Sequence, residues 1–261
     1  MELKIFQVDA FADELFKGNP AAVVPLSAWI DEKLMQNIAF ENNLSETVFF
    51  VQSGDIFEIR WFTPIVEVDI CGHATLASAY VLFNHLGYVN NKIIFHSPRS
   101  GELIVTRLGD LLTLNFPTDE IHEVAISDEI ISCFKPMPVK AFRGRNDFMI
   151  VFSSEAEIRE MHPNFINLSK LNARGIIVTA KGDQVDFVSR FFGPQSGIDE
   201  DHVTGSAHTT LIPYWKEVLG KEVMEALQVS ARGGKLTCKY LGERIEISGT
   251  GTLFMKGTIF V

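Results

Sequence analysis

Two short stretches of the sequence concentrate side chains that could move a proton. Residues 69–75 have the sequence DICGHAT, and residues 201–208 have the sequence DHVTGSAH. Proton transfer needs a group that takes a proton and returns it, and carboxylates, imidazoles and thiols are the usual groups. Glu200 directly precedes the second stretch and Glu46 lies further upstream of the first, so the candidates are Glu46, Asp69, Cys71, His73, Glu200, Asp201, His202 and His208. Their spacing alone does not choose among them.

Glu46 stands at the entrance of SETVFFVQ, a β-branched and aromatic segment that predicts a β-strand. Partial burial at that point would place its carboxylate in surroundings suited to acid–base work. The alternative is a solvated glutamate at a strand entrance, which is the commoner situation for this residue type. The residue types leave both interpretations open.

The two stretches share a lead-in, which indicates an internal repeat. EIRWFTP and VSRFFGP correspond at an offset of 130 positions, and three inserted residues then shift the offset to 133. Matches in one order favour a duplicated structural unit. The alternative is two unrelated strand–loop–helix corners that use common residues. The pairs are Arg60 with Arg190, Phe62 with Phe192, Pro64 with Pro194, Cys71 with Thr204, Gly72 with Gly205, His73 with Ser206, and Ala74 with Ala207.

Each copy delivers a glycine and a hydrogen-bonding residue to the start of an apolar helix. The first N–H groups of a helix have no intrahelical acceptor, and the helix dipole adds partial positive charge there. Gly72 and Gly205 would let an anion approach the backbone, while His73 and Ser206 add side-chain donors. The pattern therefore predicts two corners that bind a carboxylate, with an ordinary capped helix as the alternative for each.

The surrounding sequence predicts alternating strands and helices. Helices are predicted over residues 31–42, where the pair Asn42–Asn43 is a plausible stop, from residue 71 to Gly87, and over residues 207–220. The polar stretch TDEIHEVAISDEII has helical spacing and is the expected handover between two structural units. Strands are predicted in KIFQVDAF, SETVFFVQ, DIFEIRWF, IIFHS, GELIVTRLG, LLTLNFP, KAFRGR, DFMIVFS, GIIVTAK, QVDFVSRFF, KLTCKY, RIEISG and LFMKGTIFV.

The bulk properties exclude several classes of protein. A chain of 261 residues with a net charge of −10 has no basic stripe for nucleic acid. Its apolar runs are shorter than the roughly 18 residues of a spanning helix, and its first residues do not resemble a signal peptide, so a cytoplasmic location is expected. Three widely spaced cysteines predict reduced thiols. The spacing of His202 and His208 does not support a metal site, and TGSAH is not a hydrolase elbow.

Four segments in order resemble the phenazine-biosynthesis PhzF-like protein family. They are NLSETVFF, RWFTPIVEVDICGHATLASAYVL, SRFFGPQSGIDEDHVTGSAHTTLIPYW and QVSARGGKL, and the resemblance extends over nearly the whole chain. It implies an α+β fold of the diaminopimelate-epimerase type, with two pseudo-symmetric domains that each wrap a curved, barrel-like sheet around a central helix. The domains are expected at residues 1–117 and 118–261, with residues 252–261 as a candidate strand that returns to the first. The active site is expected in the cleft between them.

The resemblance also implies an activity: isomerisation of a small carboxylate-bearing metabolite without a cofactor or metal, by a homodimer. It assigns catalysis to Glu46, as the acid–base group, and to Asp201, and it assigns substrate binding to Gly72, His73, Gly205 and Ser206. The physical argument agrees, because helix N-termini stabilise the negative charge that builds up when a proton leaves carbon.

Two departures from the family pattern bear on the site. His202 follows Asp201 where the family usually has proline, so the loop backbone is less restrained. Cys71 occupies the first of the two cysteine positions that epimerases of this fold use, but the second position holds Thr204. The competing hypotheses are an amino-acid epimerase or racemase that depends on Cys71 and a carboxylate-binding protein without chemistry.

Overall fold

The computed structural model describes all 261 residues except the side chain of Ser196. The chain forms two compact units. Unit 1 consists of Met1–Asn115 with Ser248–Val261, and unit 2 consists of Phe116–Ile247. Within the described part of the chain, none of the helices is both long enough and apolar enough to span a membrane.

Unit 1 surrounds one long buried helix with strands. Its elements up to the unit boundary are β1 (Glu2–Ala10), β2 (Asn19–Leu26), α1 (Glu32–Asn42), β3 (Glu46–Ser53), β4 (Ile56–Phe62), β5 (Glu67–Val68), α2 (Gly72–His85), β6 (Lys92–Ser97), β7 (Gly101–Leu108) and β8 (Leu111–Pro117), the last of which crosses the boundary.

Both helices of unit 1 confirm the sequence prediction. The Asp31 carboxylate caps α1 by accepting from the Leu34 N–H, and Asn43 ends it in the left-handed region at φ 49°. α2 packs against β1, β2, β3 and β7. Most of its residues are buried, and its alanines and serines allow close approach of the strands. Ser78 donates to the Ala74 carbonyl, which satisfies that hydroxyl inside the core.

Unit 2 contains the same kinds of element in a similar order. They are β9 (His122–Val124), α3 (Asp128–Ile131), β10 (Lys140–Arg143), β11 (Asp147–Val151), α4 (Glu155–Arg159), α5 (Phe165–Leu168), β12 (Gly175–Lys181), β13 (Phe187–Gly193), a 3-10 turn (Pro194–Ser196), β14 (Ile198–Asp201), a second 3-10 turn (Gly205–Ala207), α6 (His208–Leu219), β15 (Val223–Gln228), β16 (Gly234–Tyr240) and β17 (Arg244–Gly249). The chain returns to unit 1 at Ser248, within β17, and continues there as β18 (Gly251–Phe260), which pairs antiparallel with β1.

The two units pair their strands in the same way. In unit 1 the successive pairings β1–β2, β2–β3, β3–β4, β4–β6 and β6–β7 alternate between antiparallel and parallel. In unit 2 the pairings β10–β11, β11–β12, β12–β13, β13–β15 and β15–β16 follow the same alternation. The repeat in the sequence therefore corresponds to a repeated sheet topology.

The repeated arginines have the same structural task in both units. Arg60 donates from Nε and Nη2 to the two carboxylate oxygens of Glu67 at 2.7 and 2.8 Å, and it lies 5.2 Å from the Phe62 ring centre. Arg190 does the same with Glu200, at 2.7 and 2.9 Å, and lies 5.0 Å from the Phe192 ring. Each forked pair ties a strand to the short return strand beside it. The three-residue insertion lies between the second arginine and its glutamate, in the loop that holds the 3-10 turn Pro194–Ser196.

The helical spacing at the handover between the units was misleading. Residues 118–131 contain the short strand β9 and only one turn of helix, α3. His122 and Val124 pair with Arg143 and Ala141 of β10. Ladder hydrogen bonds to β10 thus outweigh the local periodicity, which can predict a helix only when no strand is available as a partner.

Candidate active site

Glu46 and His73 contact each other at the start of α2. Glu46 is the first residue of β3 and keeps only 13 % of its side chain exposed, while the His73 side chain is 5 % exposed. His73 Nε2 lies 3.0 Å from Glu46 Oε2. The helix start, with Gly72 as its first residue, lies beside this pair. One corner therefore combines a carboxylate, an imidazole and unpaired helix N–H groups.

A residue that the sequence analysis did not single out completes this corner. Asn19 is buried at the start of β2, and its Nδ2 lies 3.2 Å from His73 Nδ1. Ser45, the neighbour of Glu46, donates to Asn19 Oδ1 at 3.3 Å. The parallel pairing of β2 with β3 brings the starts of both strands together. Gly18 makes the turn before β2 at φ +66°, where an added Cβ would lie 2.2 Å from the Ala10 carbonyl oxygen.

Cys71 also contacts His73 but is unsuited to act as a base. Its Sγ lies 3.4 Å from His73 Nδ1. Burial raises the pKa of the Cys71 thiol to about 11, and the Glu46 carboxylate adds to this shift. Burial acts to lower the pKa of His73, but Cys71 and Glu46 beside it raise it well above the ordinary value. At neutral pH the corner therefore holds a protonated thiol beside the contact between the His73 imidazole and the Glu46 carboxylate.

The same three side chains are also the residues that could hold a metal ion. Donor atoms of Glu46, Cys71 and His73 lie within 4.8 Å of one another. A thiophilic cation such as Zn²⁺ accepts this ligand set. It would have to displace the thiol proton and break the pair between Glu46 and His73. As it stands, the arrangement is a carboxylate in contact with an imidazole.

In unit 2, Asp201 is held by the residue that replaces the second cysteine. Thr204 donates from Oγ1 to Asp201 Oδ2 at 2.5 Å. The Gln228 side chain accepts from the Thr204 N–H at 2.8 Å and donates to the Asp201 carbonyl, also at 2.8 Å. A hydroxyl at position 204 thus serves to orient a carboxylate, which a thiol would do less well because S–H is a weak donor.

His202 does not leave the loop unrestrained. Ser230 donates from Oγ to the His202 carbonyl at 2.7 Å, and Gln228 holds the preceding carbonyl. Both residues belong to the segment QVSARGGKL, which the sequence analysis used only for the family resemblance. Side-chain hydrogen bonds therefore restrain the loop backbone at this position.

Ser206 contacts an arginine that sequence reasoning missed. Arg174 donates from Nη2 to Ser206 Oγ at 3.1 Å. Its Nε donates to Asp147 Oδ1 at 2.9 Å, and its Nη2 also donates to Asp147 Oδ2. Asp147 is 3 % exposed, so the pair is largely buried on the acidic side. Gly205 begins the 3-10 turn that leads into α6.

The other candidate residues lie outside these contacts. Asp69 has 74 % of its side chain exposed and pairs with Arg99 at the surface. Glu200 is taken up by Arg190. His208 is buried at the start of α6, where it makes a hydrogen bond of 2.9 Å from Nδ1 to the Thr204 carbonyl. Burial lowers the pKa of His208 to about 4, so it is neutral at physiological pH and acts as a structural donor.

Comparisons with known proteins agree with the fold. The family model described as phenazine biosynthesis-like protein matches residues 8–257. A Pseudomonas aeruginosa protein named as an uncharacterized isomerase is 49 % identical over 259 residues and covers 99 % of each chain. The crystal structure of an Enterococcus faecalis PhzF family protein superposes with a TM-score of 0.97 at 46 % identity, over 100 % of both chains. A hydroxyproline epimerase from Agrobacterium vitis, at 10 % identity and a TM-score of 0.63, covers 99 % of this chain and 92 % of its own and shares the fold.

These likenesses confirm the predicted fold class and define an isomerase with the diaminopimelate-epimerase type of α+β architecture. The chain belongs to the phenazine biosynthesis-like, or PhzF, family, as the four sequence segments indicated.

Proposed function

We propose that the protein isomerises a small carboxylate-bearing metabolite without a cofactor, and that Glu46 carries the proton. The observation that supports this most directly is the Glu46–His73 contact at the start of α2, 3.0 Å between Oε2 and Nε2. The His73 imidazole holds the carboxylate that would take the proton in one position. The cytoplasmic location and the homodimer implied by the resemblance belong to the same proposal.

In the proposed reaction, the Glu46 carboxylate takes a proton from a carbon next to a carboxylate or next to an alkene that is conjugated with one. The electron pair of the broken C–H bond moves into that conjugated group and makes an oxyanion. The N–H groups of Gly72 and His73 at the start of α2 are positioned to stabilise negative charge. Glu46 then returns the proton to another carbon of the same molecule, and the charge disappears. Asp201, Gly205 and Ser206 are proposed to bind and orient the substrate.

The test uses proton exchange with solvent, because it does not require the product to be known. The protein is incubated in deuterated water with a panel of unsaturated carboxylates and amino acids, and deuterium at carbon is measured by NMR. Exchange or a shifted double bond in an unsaturated carboxylate is the expected result. A carboxylate that binds to the protein but shows neither exchange nor isomerisation would favour a binding protein without chemistry.

Cys71→Ala separates the proposal from a cysteine-dependent epimerase. Because burial keeps the Cys71 thiol protonated, we expect this variant to retain exchange within about threefold of the unsubstituted protein. The measurement is the same deuterium assay, with thermal unfolding as a check on the fold. Complete loss of exchange in a folded Cys71→Ala protein would instead assign the chemistry to the thiol.

A further inference from the structure

The strand registers show which residue of unit 2 corresponds to Glu46. β3 pairs with β4 so that Thr47 faces Phe62, and β12 pairs with β13 so that Ile176 faces Phe192. Since Phe62 and Phe192 are repeat partners, Thr47 corresponds to Ile176. The preceding residues, Glu46 and Gly175, then occupy equivalent positions. Unit 2 therefore has no side chain at the place of the proton carrier.

An arginine one residue earlier takes over the contact instead. An added Cβ on Gly175 would lie 2.1 Å from Phe191 Cζ, so the missing side chain makes room for that ring. The Arg174 guanidinium lies 5.6 Å from the centre of the Phe191 ring and reaches Ser206. Ser206 is the repeat partner of His73. Where unit 1 contacts its helix start with a carboxylate, unit 2 contacts it with a cation.

The chemistry of the contact determines how Ser206 is oriented. Arginine has only donors, so Ser206 Oγ must be the acceptor of the bond from Arg174 Nη2. A serine hydroxyl has one hydrogen, and this hydrogen is then available to donate elsewhere. The Asp147 carboxylate balances the charge of Arg174 through two hydrogen bonds. Arg174 therefore affects a ligand mainly by orienting the Ser206 hydroxyl, and less through its own positive charge.

We propose that Arg174 is a positioning residue that makes Ser206 an obligate hydrogen-bond donor, so that unit 2 has a subsite for a carboxylate oxygen. This inference rests on the proposed function, because it assumes that Ser206 contacts the substrate. It adds the selectivity of that contact: an oxygen acceptor is bound, and a group that can only donate is rejected.

The test compares Arg174→Gln, which is neutral and offers an acceptor, with Arg174→Lys, which keeps the charge and can only donate. Benzoate serves as the probe, and its dissociation constant is measured from the amide NMR signals of Gly205 and Ser206. Arg174→Gln introduces a side-chain oxygen that can accept the Ser206 hydrogen, so we expect benzoate to bind about tenfold more weakly or worse. Arg174→Lys still only donates, and we expect a change of less than about threefold.

Three controls make the result specific. Ser206→Ala should lose the same affinity as Arg174→Gln, and the double variant should lose no more. Arg145→Gln alters an exposed arginine whose backbone N–H, not its side chain, bonds to Asp119, and it should leave the affinity unchanged. Arg174→Gln combined with Asp147→Asn removes the buried carboxylate that the single variant leaves unpaired, in case that variant unfolds.

The proposal is overturned if benzoate does not shift the Gly205 and Ser206 signals. It is also overturned if Ser206→Ala, or a folded Arg174→Gln protein, binds benzoate as tightly as the unsubstituted protein. Equal losses of benzoate affinity in Arg174→Lys and Arg174→Gln would also contradict the proposal. The donor character of the side chain at position 174 would then be irrelevant. Because binding is measured without turnover, this outcome is independent of the deuterium assay. A failure of the proposed isomerisation and a failure of the subsite are therefore distinguishable.

Discussion

Replacing Glu46 with Gln is expected to lower solvent deuterium exchange into an accepted substrate by about 10²–10⁴-fold. Glutamine keeps the size of the side chain and can keep an oxygen in contact with His73 Nε2, which lies 3.0 Å from Glu46 Oε2. It has no basic site that takes a proton from carbon. The loss should appear in the turnover number, while the affinity for the substrate changes little, because the helix N–H groups remain in place.

Glu41→Gln provides a matched control for this prediction. Glu41 lies on the exposed side of α1, five positions before Glu46. The same chemical change there should leave exchange unaltered. If Glu46→Gln exchanged deuterium as fast as the unsubstituted protein, another group would have to carry the proton, and the role proposed for the Glu46–His73 pair would be wrong.

The second large effect concerns stability at acidic pH. The pKa of His208 falls from an ordinary value of 6.5 to about 4, chiefly because burial disfavours the charged imidazole, while the Thr204 carbonyl opposes this shift. Below pH 6.5 the unfolded chain therefore binds a proton that the folded chain refuses. The stabilisation that the folded state gains from a neutral His208 is fully present above this pH. It is lost as the pH falls from 6.5 towards 4. The expected loss is about 3 kcal/mol.

His208→Asn tests this expectation by removing the titrating group while keeping a side-chain donor for the Thr204 carbonyl. Urea unfolding is measured from pH 7 to pH 4, and the readout is the slope of the unfolding free energy against pH. The variant should lose about 3 kcal/mol less than the unsubstituted protein over this interval, even if it is less stable at pH 7. His162→Asn, an exposed control in unit 2, should reproduce the original slope. Identical slopes for all three proteins would contradict the buried, neutral state of His208.

Much of the fold was predictable because the sequence contains an internal repeat. The matched arginines, aromatic residues and glycines identified corresponding strand–loop–helix corners, and the strand pairings show the same alternation in both units. Both ends of α1, at Asp31 and Asn43, were also predictable from the sequence, because capping depends on residues that are neighbours in the chain. The handover segment was not, since β9 depends on a strand that lies almost twenty residues further on.

The site shows the same difference between features that depend on neighbouring residues and features that depend on distant ones. The sequence alone determined the family and the two helix starts, because each of these is expressed in a short motif, and it made Glu46 a candidate. Only the tertiary structure decided which side chains support them. Asn19 contacts His73 across 54 positions, and Arg174 contacts Ser206 across 32. Such contacts arise from strand register, and a hydrogen bond between distant residues leaves no periodicity or spacing in a single sequence by which it could be recognised.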